Sequence, residues 1–263
     1  MGKLAAIFFW LLAVVTAVAF IVHPIWLPEL VSVYGVDVDR QMNVTFEIAG
    51  VAFVSAHILL GFFLWRFGSN RPGPALYWHE SHRMEITWTL VTAVVFVGLG
   101  LQGSRIWARQ YLTPAPADAL TIEVVGQQFA WNFRYPGPDG KFGRTAPNLV
   151  SDSEGNYIGL DDGDPAGADD IMTQNIVAVP VNRPVKLLLR SRDVLHSFFV
   201  PVLRFKQDAV PGMIIPVYFT ATKTGEYEVA CSQLCGMQHY KMRARLLVMS
   251  DADFAAWLSK RAQ

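Results

Sequence analysis

The chain has 263 residues, of which 52% are hydrophobic and only 17% are charged. This apolar fraction is high for a soluble globular protein and indicates that part of the chain lies in lipid. The formal net charge is zero, which gives no indication of a nucleic-acid partner.

Three apolar stretches precede residue 110, at residues 5–22, 44–67 and 86–107. A helix needs about 20 apolar residues to cross a bilayer, so the second and third stretches predict a transmembrane hairpin within residues 43–110. The first stretch, within residues 1–28, fits either a transmembrane helix or a signal-like segment that is cleaved after residue 22. Pro24 and Trp26 are typical of an interfacial helix end, and we therefore favour a retained helix.

The charges of the connecting segments predict the orientation of the chain. The connection between the second and third stretches carries Arg66, Arg71 and Arg83. The positive-inside rule places this connection in the cytoplasm, although Arg105 and Arg109 run against the rule. Residues 112–263 are therefore expected on the periplasmic side of a bacterial-type inner membrane that the chain crosses several times.

The segment 112–263 has the pattern of a β domain. Short runs rich in β-branched and aromatic residues alternate with Pro and Gly turns, at residues 120–125, 128–135, 175–179, 185–190, 217–220, 227–230 and 244–249. This spacing predicts an antiparallel sandwich or barrel. Residues 136–170 form an excursion rich in Asp and Gly, which is expected to be a polar surface loop outside the core. Residues 251–262 predict a short helix capped by Asp251.

The strongest pattern is a run of potential ligands near the C-terminus, Cys231-Ser-Gln-Leu-Cys235-Gly-Met-Gln-His239-Tyr-Lys-Met242, with His196 upstream. Thiolate, imidazole and thioether groups suit copper better than magnesium or calcium. The run is expected to form a loop around one site between two strands. His196 follows the run Ser191-Arg-Asp-Val-Leu195 just after a strand, and an adjacent strand end would bring it into the site.

The ligand residues fit several kinds of site. A mononuclear blue-copper site needs one cysteine, two histidines and a weak axial methionine, so the second cysteine is surplus. Two thiolates can instead bridge two copper ions, each with one histidine, with Met242 as a weak ligand on one ion and a backbone carbonyl on the other. Taken alone, the Cys-x₃-Cys pair also fits a disulfide, and the Cys₂His₂ set also fits zinc.

The ligand run resembles the copper loop of cytochrome c oxidase subunit II, Cys-Ser-Glu-x-Cys-Gly-x-x-His-x-x-Met. Asp193-Val-Leu-His196-Ser is similar to the first histidine motif of that family, and the resemblance continues through Lys206-Gln-Asp208-Ala-Val-Pro211-Gly212. Glu85-Ile-Thr-Trp88-Thr89 resembles the start of the second core helix, and residues 126–135 resemble the aromatic stretch. The matches run in order from about residue 43 to the C-terminus.

The resemblance implies N-terminal transmembrane α-helices followed by an all-β cupredoxin-like barrel. It implies subunit II of a terminal haem–copper oxidase, with electrons arriving from cytochrome c or a cytochrome c domain. They would leave for haem in a partner subunit I, where oxygen is reduced to water and protons are pumped. Other oxidase subunits and membrane lipid are implied neighbours. Two copper ions would be held by His196, Cys231, the backbone carbonyl of Gln233, Cys235, His239 and Met242.

Two positions, Gln233 and Phe129, depart from the family pattern, and a third, Glu85, matches it and has a candidate role. Gln233 replaces a glutamate that helps to hold magnesium at the interface with subunit I, so magnesium is left open. Phe129 replaces the tryptophan through which electrons enter, while Trp131 keeps the second aromatic, and either is a candidate for that role. Glu85 is a candidate for proton uptake, and the alternative is a carboxylate that caps its helix. The haem types and the donor are not encoded in this chain.

Two further functions remain open at this stage: the copper subunit of a nitric oxide reductase, and a membrane-anchored domain for copper storage or delivery. His57, in the middle of the second stretch, is expected to be a neutral histidine bonded to another helix. The spacing of the aspartates in residues 161–170 does not fit the calcium-binding loop of EF-hands, so a solvated loop is expected there.

Overall fold

The computed structural model describes residues 1–22, 27–68, 73–74 and 76–262. Pro24, Trp26 and Arg71 lie outside the described residues. The chain forms two compact units, which are described separately. One unit consists of Met1–Leu27 and Asp37–Ile106, and the other of Pro28–Val36 and Trp107–Gln263.

The first unit is helical and is built from three long helices, α1 (Gly2–Val22), α2 (Gly35–Phe67) and α3 (His82–Tyr111). Each is long and apolar enough to cross a membrane. The helices contain the three predicted stretches and extend beyond them. Helix α2 begins more than two turns before its predicted stretch, and these turns carry Asp37 and Asp39. The apolar pattern missed them because polar residues lower the apolarity of a segment without ending a helix.

Helix α1 packs on α2 where the Trp10 side chain lies against Gly61. The indole N–H of Trp10 donates to the carbonyl oxygen of Ile58 over 3.2 Å. A Cβ atom at Gly61 would overlap the Trp10 indole, so the missing side chain is what admits it. The Lys3 ammonium lies 5.4 Å from the ring centre of Trp65, which extends the contact toward the N-terminus of α1.

The expectation for His57 was wrong in one respect. Its Nδ1 lies 2.7 Å from the carbonyl oxygen of Phe53, one turn earlier in the same helix. The partner is therefore the α2 backbone itself and not another helix. The Phe9 ring of α1 approaches the imidazole at 5.7 Å between ring centres.

The second unit contains ten strands, β1 (Leu120–Gln127), β2 (Ala130–Tyr135), β3 (Ile171–Gln174), β4 (Ile176–Pro180), β5 (Pro184–Ser191), β6 (His196–Val200), β7 (Phe205–Ala209), β8 (Ile215–Thr220), β9 (Gly225–Cys231) and β10 (Arg243–Met249). They form two five-stranded sheets, in the orders β3-β2-β1-β5-β8 and β4-β10-β9-β6-β7. Alternating side chains from both sheets fill one core, including Trp131, Phe133, Leu187, Phe205 and Leu246. The fold class predicted from the sequence, transmembrane helices followed by an all-β cupredoxin-like barrel, is confirmed.

The strand pairing differs from the purely antiparallel arrangement that was predicted. β1 runs parallel to β5, and β10 runs parallel to β4. His196 was expected just after a strand, but it is the first residue of β6, and β5 ends at Ser191. Residues 192–195 separate the two strands.

The C-terminal helix α4 (Asp251–Ser259) is capped one residue earlier than predicted. The hydroxyl of Ser250 accepts the backbone N–H of Asp253 over 3.2 Å, so Ser250 and not Asp251 is the N-cap. The helix buries Phe254 against Tyr135, with 6.3 Å between their ring centres.

Residues 28–36, which we call the strap, belong to the β unit, although the last two of them begin α2. Val31 is fully buried, its N–H donates to the carbonyl of Val202 and its carbonyl accepts from Thr222. The Ser32 hydroxyl donates to the carbonyl of Leu203 over 2.7 Å. The strap is therefore a structural part of the β unit, held by backbone hydrogen bonds and one buried apolar side chain.

The excursion at residues 136–170 is more ordered than a solvated loop. Asp161 and Asp164 form ion pairs with Arg144, and a carboxylate oxygen of Asp170 lies 3.0 Å from the buried guanidinium of Arg134. The same guanidinium lies 2.6 Å from the buried carboxylate of Glu123 on β1. Many of the acidic groups in the excursion thus bind backbone N–H groups and arginines, and they fix the loop to the sheet.

Candidate metal centre

The ligand run lies at one end of the second sheet, where β9 ends and β10 begins. Cys231 is the last residue of β9 and pairs with Phe198 of β6, which places His196 beside it. The N–H of Cys231 donates to the carbonyl of Met242 over 3.0 Å and closes the loop. Strand pairing therefore brings together ligands that are far apart in sequence.

The two cysteines occupy the centre of the site. Their sulfur atoms are 3.8 Å apart, and both residues are buried. The Nδ1 atom of His196 lies 4.0 Å from Cys231 Sγ, and the Nδ1 atom of His239 lies 3.6 Å from Cys235 Sγ. The Met242 thioether lies 3.8 Å from Cys235 Sγ.

A backbone oxygen completes the set of donor atoms. The carbonyl oxygen of Gln233 lies 3.2 Å from Cys231 Sγ. The ligand atoms of His196, Cys231 and Cys235 all lie within 4.8 Å of one another. All six donors named from the sequence are therefore adjacent, and a metal held there would be screened from water.

The geometry narrows the alternatives that the sequence left open. A disulfide bond requires a sulfur–sulfur distance of about 2.05 Å, and both cysteines are free thiols. A structural zinc site uses four ligands in a tetrahedron. Two adjacent sulfurs with two imidazoles, a thioether and a carbonyl exceed that number, and this set of soft donors suits copper.

The electrostatics of the two thiols also favour a bound cation. Burial acts to raise the pKa of Cys231, but hydrogen bonds with His196 and with the backbone N–H of Ser197 outweigh it and lower that pKa to about 6. Burial and the charge of Cys231 raise the pKa of Cys235 to about 12. A second thiolate beside the first is therefore costly without a positive charge between them.

Asp193 orients the first histidine. One carboxylate oxygen lies 2.8 Å from Nε2 of His196, and the other accepts the N–H of Gln128 over 2.7 Å. Burial acts to raise the pKa of Asp193, but the hydrogen bonds from Gln128 and His196 lower it below its usual value. The charged carboxylate therefore favours a proton on Nε2 and leaves Nδ1 free to face the sulfurs.

Gly126 provides the space for two rings beside the site. A Cβ atom at this position would lie 2.9 Å from Cδ2 of His196 and 3.1 Å from Cζ3 of Trp131. Trp131 is fully buried, and its ring meets the His196 ring edge-on at 5.9 Å between centres. Trp131 thus supports the histidine from inside the core.

The turn between β1 and β2 covers the ligand loop. The Gln128 side-chain amide donates to the carbonyl of Cys235 over 2.5 Å. Gly236 has a φ of +135°, and a Cβ there would lie 3.0 Å from Cζ of Phe129. Phe129 is half-buried, so of the two aromatic candidates it is the one that reaches solvent at the site.

Glu85 belongs to the helical unit, in the first turn of α3. Its carboxylate lies 3.4 Å from Nδ1 of His82, and its side chain is 60% exposed. Asp193, Gly126 and Gln128 surround the proposed ligands but were not predicted from the sequence to be parts of the metal centre. The role of Asp193 could have been predicted from its spacing, since a carboxylate three residues before a ligand histidine can bind the imidazole ring.

Known proteins of one family are similar to this chain. The family model for the periplasmic domain of cytochrome c oxidase subunit II matches residues 120–248. An alternative cytochrome c oxidase subunit 2 of Bradyrhizobium diazoefficiens is 35% identical over 257 residues, which cover 97% of this chain and 91% of that protein. A cytochrome c oxidase subunit 2 of Cereibacter sphaeroides is 32% identical over 77% of this chain and 69% of that protein.

Among solved structures, the periplasmic domain of subunit II of cytochrome oxidase from Bradyrhizobium japonicum is 32% identical to this chain. The alignment covers 56% of this chain and 96% of that domain, with a TM-score of 0.41.

Proposed function

The chain belongs to the cytochrome c oxidase subunit II family, and we propose that its β unit holds a binuclear copper centre that receives electrons from a cytochrome c and passes them to haem in subunit I. The chain is a membrane protein with a periplasmic metal-binding domain, and it acts as a subunit of an oxidase. The observation that carries the proposal is the pair of buried free thiols 3.8 Å apart, each with a histidine Nδ1 beside it.

The proposed ligands are His196, Cys231, Cys235, His239, Met242 and the backbone carbonyl of Gln233. When bound, two copper ions would supply a one-electron carrier at these residues. The chain provides a rigid and dry surrounding for this carrier. The N–H of Cys231 closes the loop, Asp193 holds the His196 ring and Trp131 packs against that ring. Such fixed donors limit rearrangement when an electron arrives, which favours fast transfer.

For the arrival of electrons we assign the surface at Phe129. Its ring is half-buried and lies against Gly236 of the ligand loop, so a docked donor can approach the site through it. Trp131 is fully buried, so it supports His196 and does not contact a donor directly. This divides the roles that the family resemblance left undecided between the two aromatics.

Gln233 lies at the position where the family has a glutamate that helps to hold magnesium at the interface with subunit I. Its backbone carbonyl lies 3.2 Å from Cys231 Sγ and is assigned to copper. Its side chain offers only a neutral amide oxygen, whereas magnesium prefers carboxylate and water ligands. This position therefore contributes no charge to a magnesium site.

Glu85 is proposed as a proton-uptake residue at the cytoplasmic end of α3. Its exposed carboxylate can exchange protons with water, and the nearby imidazole of His82 at 3.4 Å is a second exchangeable group. This role depends on a channel in subunit I, which completes the path.

The experiment that tests the function follows electrons through the assembled oxidase. Cytochrome c is reduced by a light pulse, and the absorbance of the oxidase haem is recorded for the native complex and for Cys235→Ser. We expect rapid haem reduction in the native complex and its loss in the variant, with Ser153→Ala as a control on the exposed excursion. Haem reduction at the native rate in Cys235→Ser would contradict the proposal.

A further inference from the structure

The outer side chains of the ligand loop lie between solvent and the buried thiols that would bind a metal. Cys231 and Cys235 are only 8% and 4% exposed, so an ion must pass the loop of residues 232–241 to reach them. The outer surface of this loop carries Leu234, Met237 and Tyr240, which are 77%, 95% and 67% exposed. Large apolar side chains in such a position do not stabilise the fold by packing.

Met237 differs from the other exposed side chains of the loop because it carries a soft donor. Thioether sulfur binds copper(I) and has little affinity for hard ions such as magnesium or calcium. Leu234 has no donor atom, and Tyr240 offers a phenol. The thioether is also the most exposed of the three groups, so it is the soft donor that an incoming ion meets on the outside of this loop.

The backbone places this thioether between two of the proposed ligands. Cys235 points into the site, the left-handed backbone at Gly236 reverses the chain, and Met237 points outward. The N–H of His239 donates to the carbonyl of Gly236 over 3.1 Å, which returns the chain so that His239 faces Cys235. Met237 is therefore two residues from both ligands and on the outer side of them.

From this arrangement we propose that Met237 is an outer copper(I)-binding residue that receives the ion and passes it to the buried thiols during assembly of the centre. The inference rests on the proposed copper function. Copper remains copper(I) throughout the step, so no electron is transferred. The bond to the thioether breaks as a bond to a cysteine sulfur forms, and the thiol releases its proton to water. The three rotatable bonds of methionine allow the sulfur to swing between the two positions.

The test measures the rate of copper uptake by the full-length, metal-free chain in detergent, without oxygen and with its thiols reduced. Copper(I) bound to bicinchoninate is the probe, and its colour is lost as the chain takes the ion. We compare the native chain with Met237→Leu, which keeps size and apolarity and removes the donor. Met172→Leu, at an exposed methionine on β3, is the matched control.

We expect Met237→Leu to take up copper several-fold more slowly than the native chain, with the same final copper content, and Met172→Leu to behave as the native chain. Uptake by Met237→Leu at the native rate would overturn the proposal, because the thioether would then be unnecessary. A native chain that binds no copper at all would instead refute the copper function itself, so the two failures are distinguishable. Because Met237 is 95% exposed, its replacement leaves the fold intact.

Discussion

The carboxylate of Asp193 lies 2.8 Å from Nε2 of His196, on the side of the imidazole opposite to the one that faces Cys231. The same carboxylate accepts the backbone N–H groups of Gln128 and Val194, each over 2.7 Å. One side chain therefore fixes both the orientation of a proposed ligand and the turn that covers the ligand loop.

Asp193→Asn is expected to weaken copper binding roughly 10- to 100-fold, as is usual when the partner of a ligand histidine is lost. An amide has one accepting oxygen, so it cannot serve both His196 and the N–H of Gln128. Competition with a copper(I) chelator measures the affinity. Asp152→Asn, which alters an exposed partner of Arg192, is the control and should bind copper normally. Native affinity in Asp193→Asn would show that the carboxylate does not orient the ligand.

Gly126→Ala is expected to destabilise the β unit by about 1–3 kcal/mol, because the added methyl group overpacks the site. It would lie 2.9 Å from the His196 ring and 3.1 Å from Trp131, so the copper spectrum should also shift. Thermal unfolding followed through the copper absorption tests both effects. Gly100→Ala in α3, where a Cβ meets nothing within 4 Å, should leave the spectrum and the unfolding of the β unit unchanged. An unaltered spectrum in Gly126→Ala would contradict the close approach.

The ligand set could be predicted from sequence because its chemistry is local and distinctive. Cys231, Cys235, His239 and Met242 fall within one short loop, and the structure places all of them together. The strand that begins at His196 was not predicted, since the pairing of Phe198 with Cys231 is a long-range contact that no local pattern encodes. The lengths of the apolar stretches also identified the three helices. The polar turns at the helix ends were not predicted, because they are not apolar.

Other features depend on tertiary contacts and were missed for that reason. No local sequence pattern marks the strap as part of the β unit, yet Val31 is buried there because backbone hydrogen bonds hold it beside Thr222 and Val202. The acidic excursion looked solvated by composition. Its order comes from distant arginines, such as the Arg134 guanidinium that meets Asp170.

Val31→Ala tests the strap. Loss of a buried valine side chain is expected to cost about 1.5–3 kcal/mol, from lost burial and a residual cavity. Val33→Ala removes the same atoms two residues away at a side chain that is 53% exposed, and should cost less than about 0.5 kcal/mol. Thermal unfolding of the copper-loaded full chain measures both. Equal effects of the two substitutions would show that the strap is not an integral part of the β unit.

Glu85→Gln is expected to lower steady-state oxygen consumption while leaving electron transfer from the copper centre to the first haem unchanged. An amide cannot shuttle protons, but it does not alter the metal site. If Glu85 only caps α3, the change should cost about 0.5–1 kcal/mol of helix stability, with normal turnover per assembled complex. Turnover normalised to haem, measured beside flash-induced electron transfer, separates these outcomes. Glu80→Gln, at a neighbouring exposed carboxylate, is the control.

The most direct test of the central claim is electron paramagnetic resonance of the copper-loaded, oxidised full-length chain, together with its copper content. Two thiolates 3.8 Å apart, each with its own histidine, predict two copper ions per chain that share one unpaired electron. Equal sharing between two copper nuclei gives a seven-line hyperfine pattern. A four-line pattern with one copper per chain would contradict the binuclear centre.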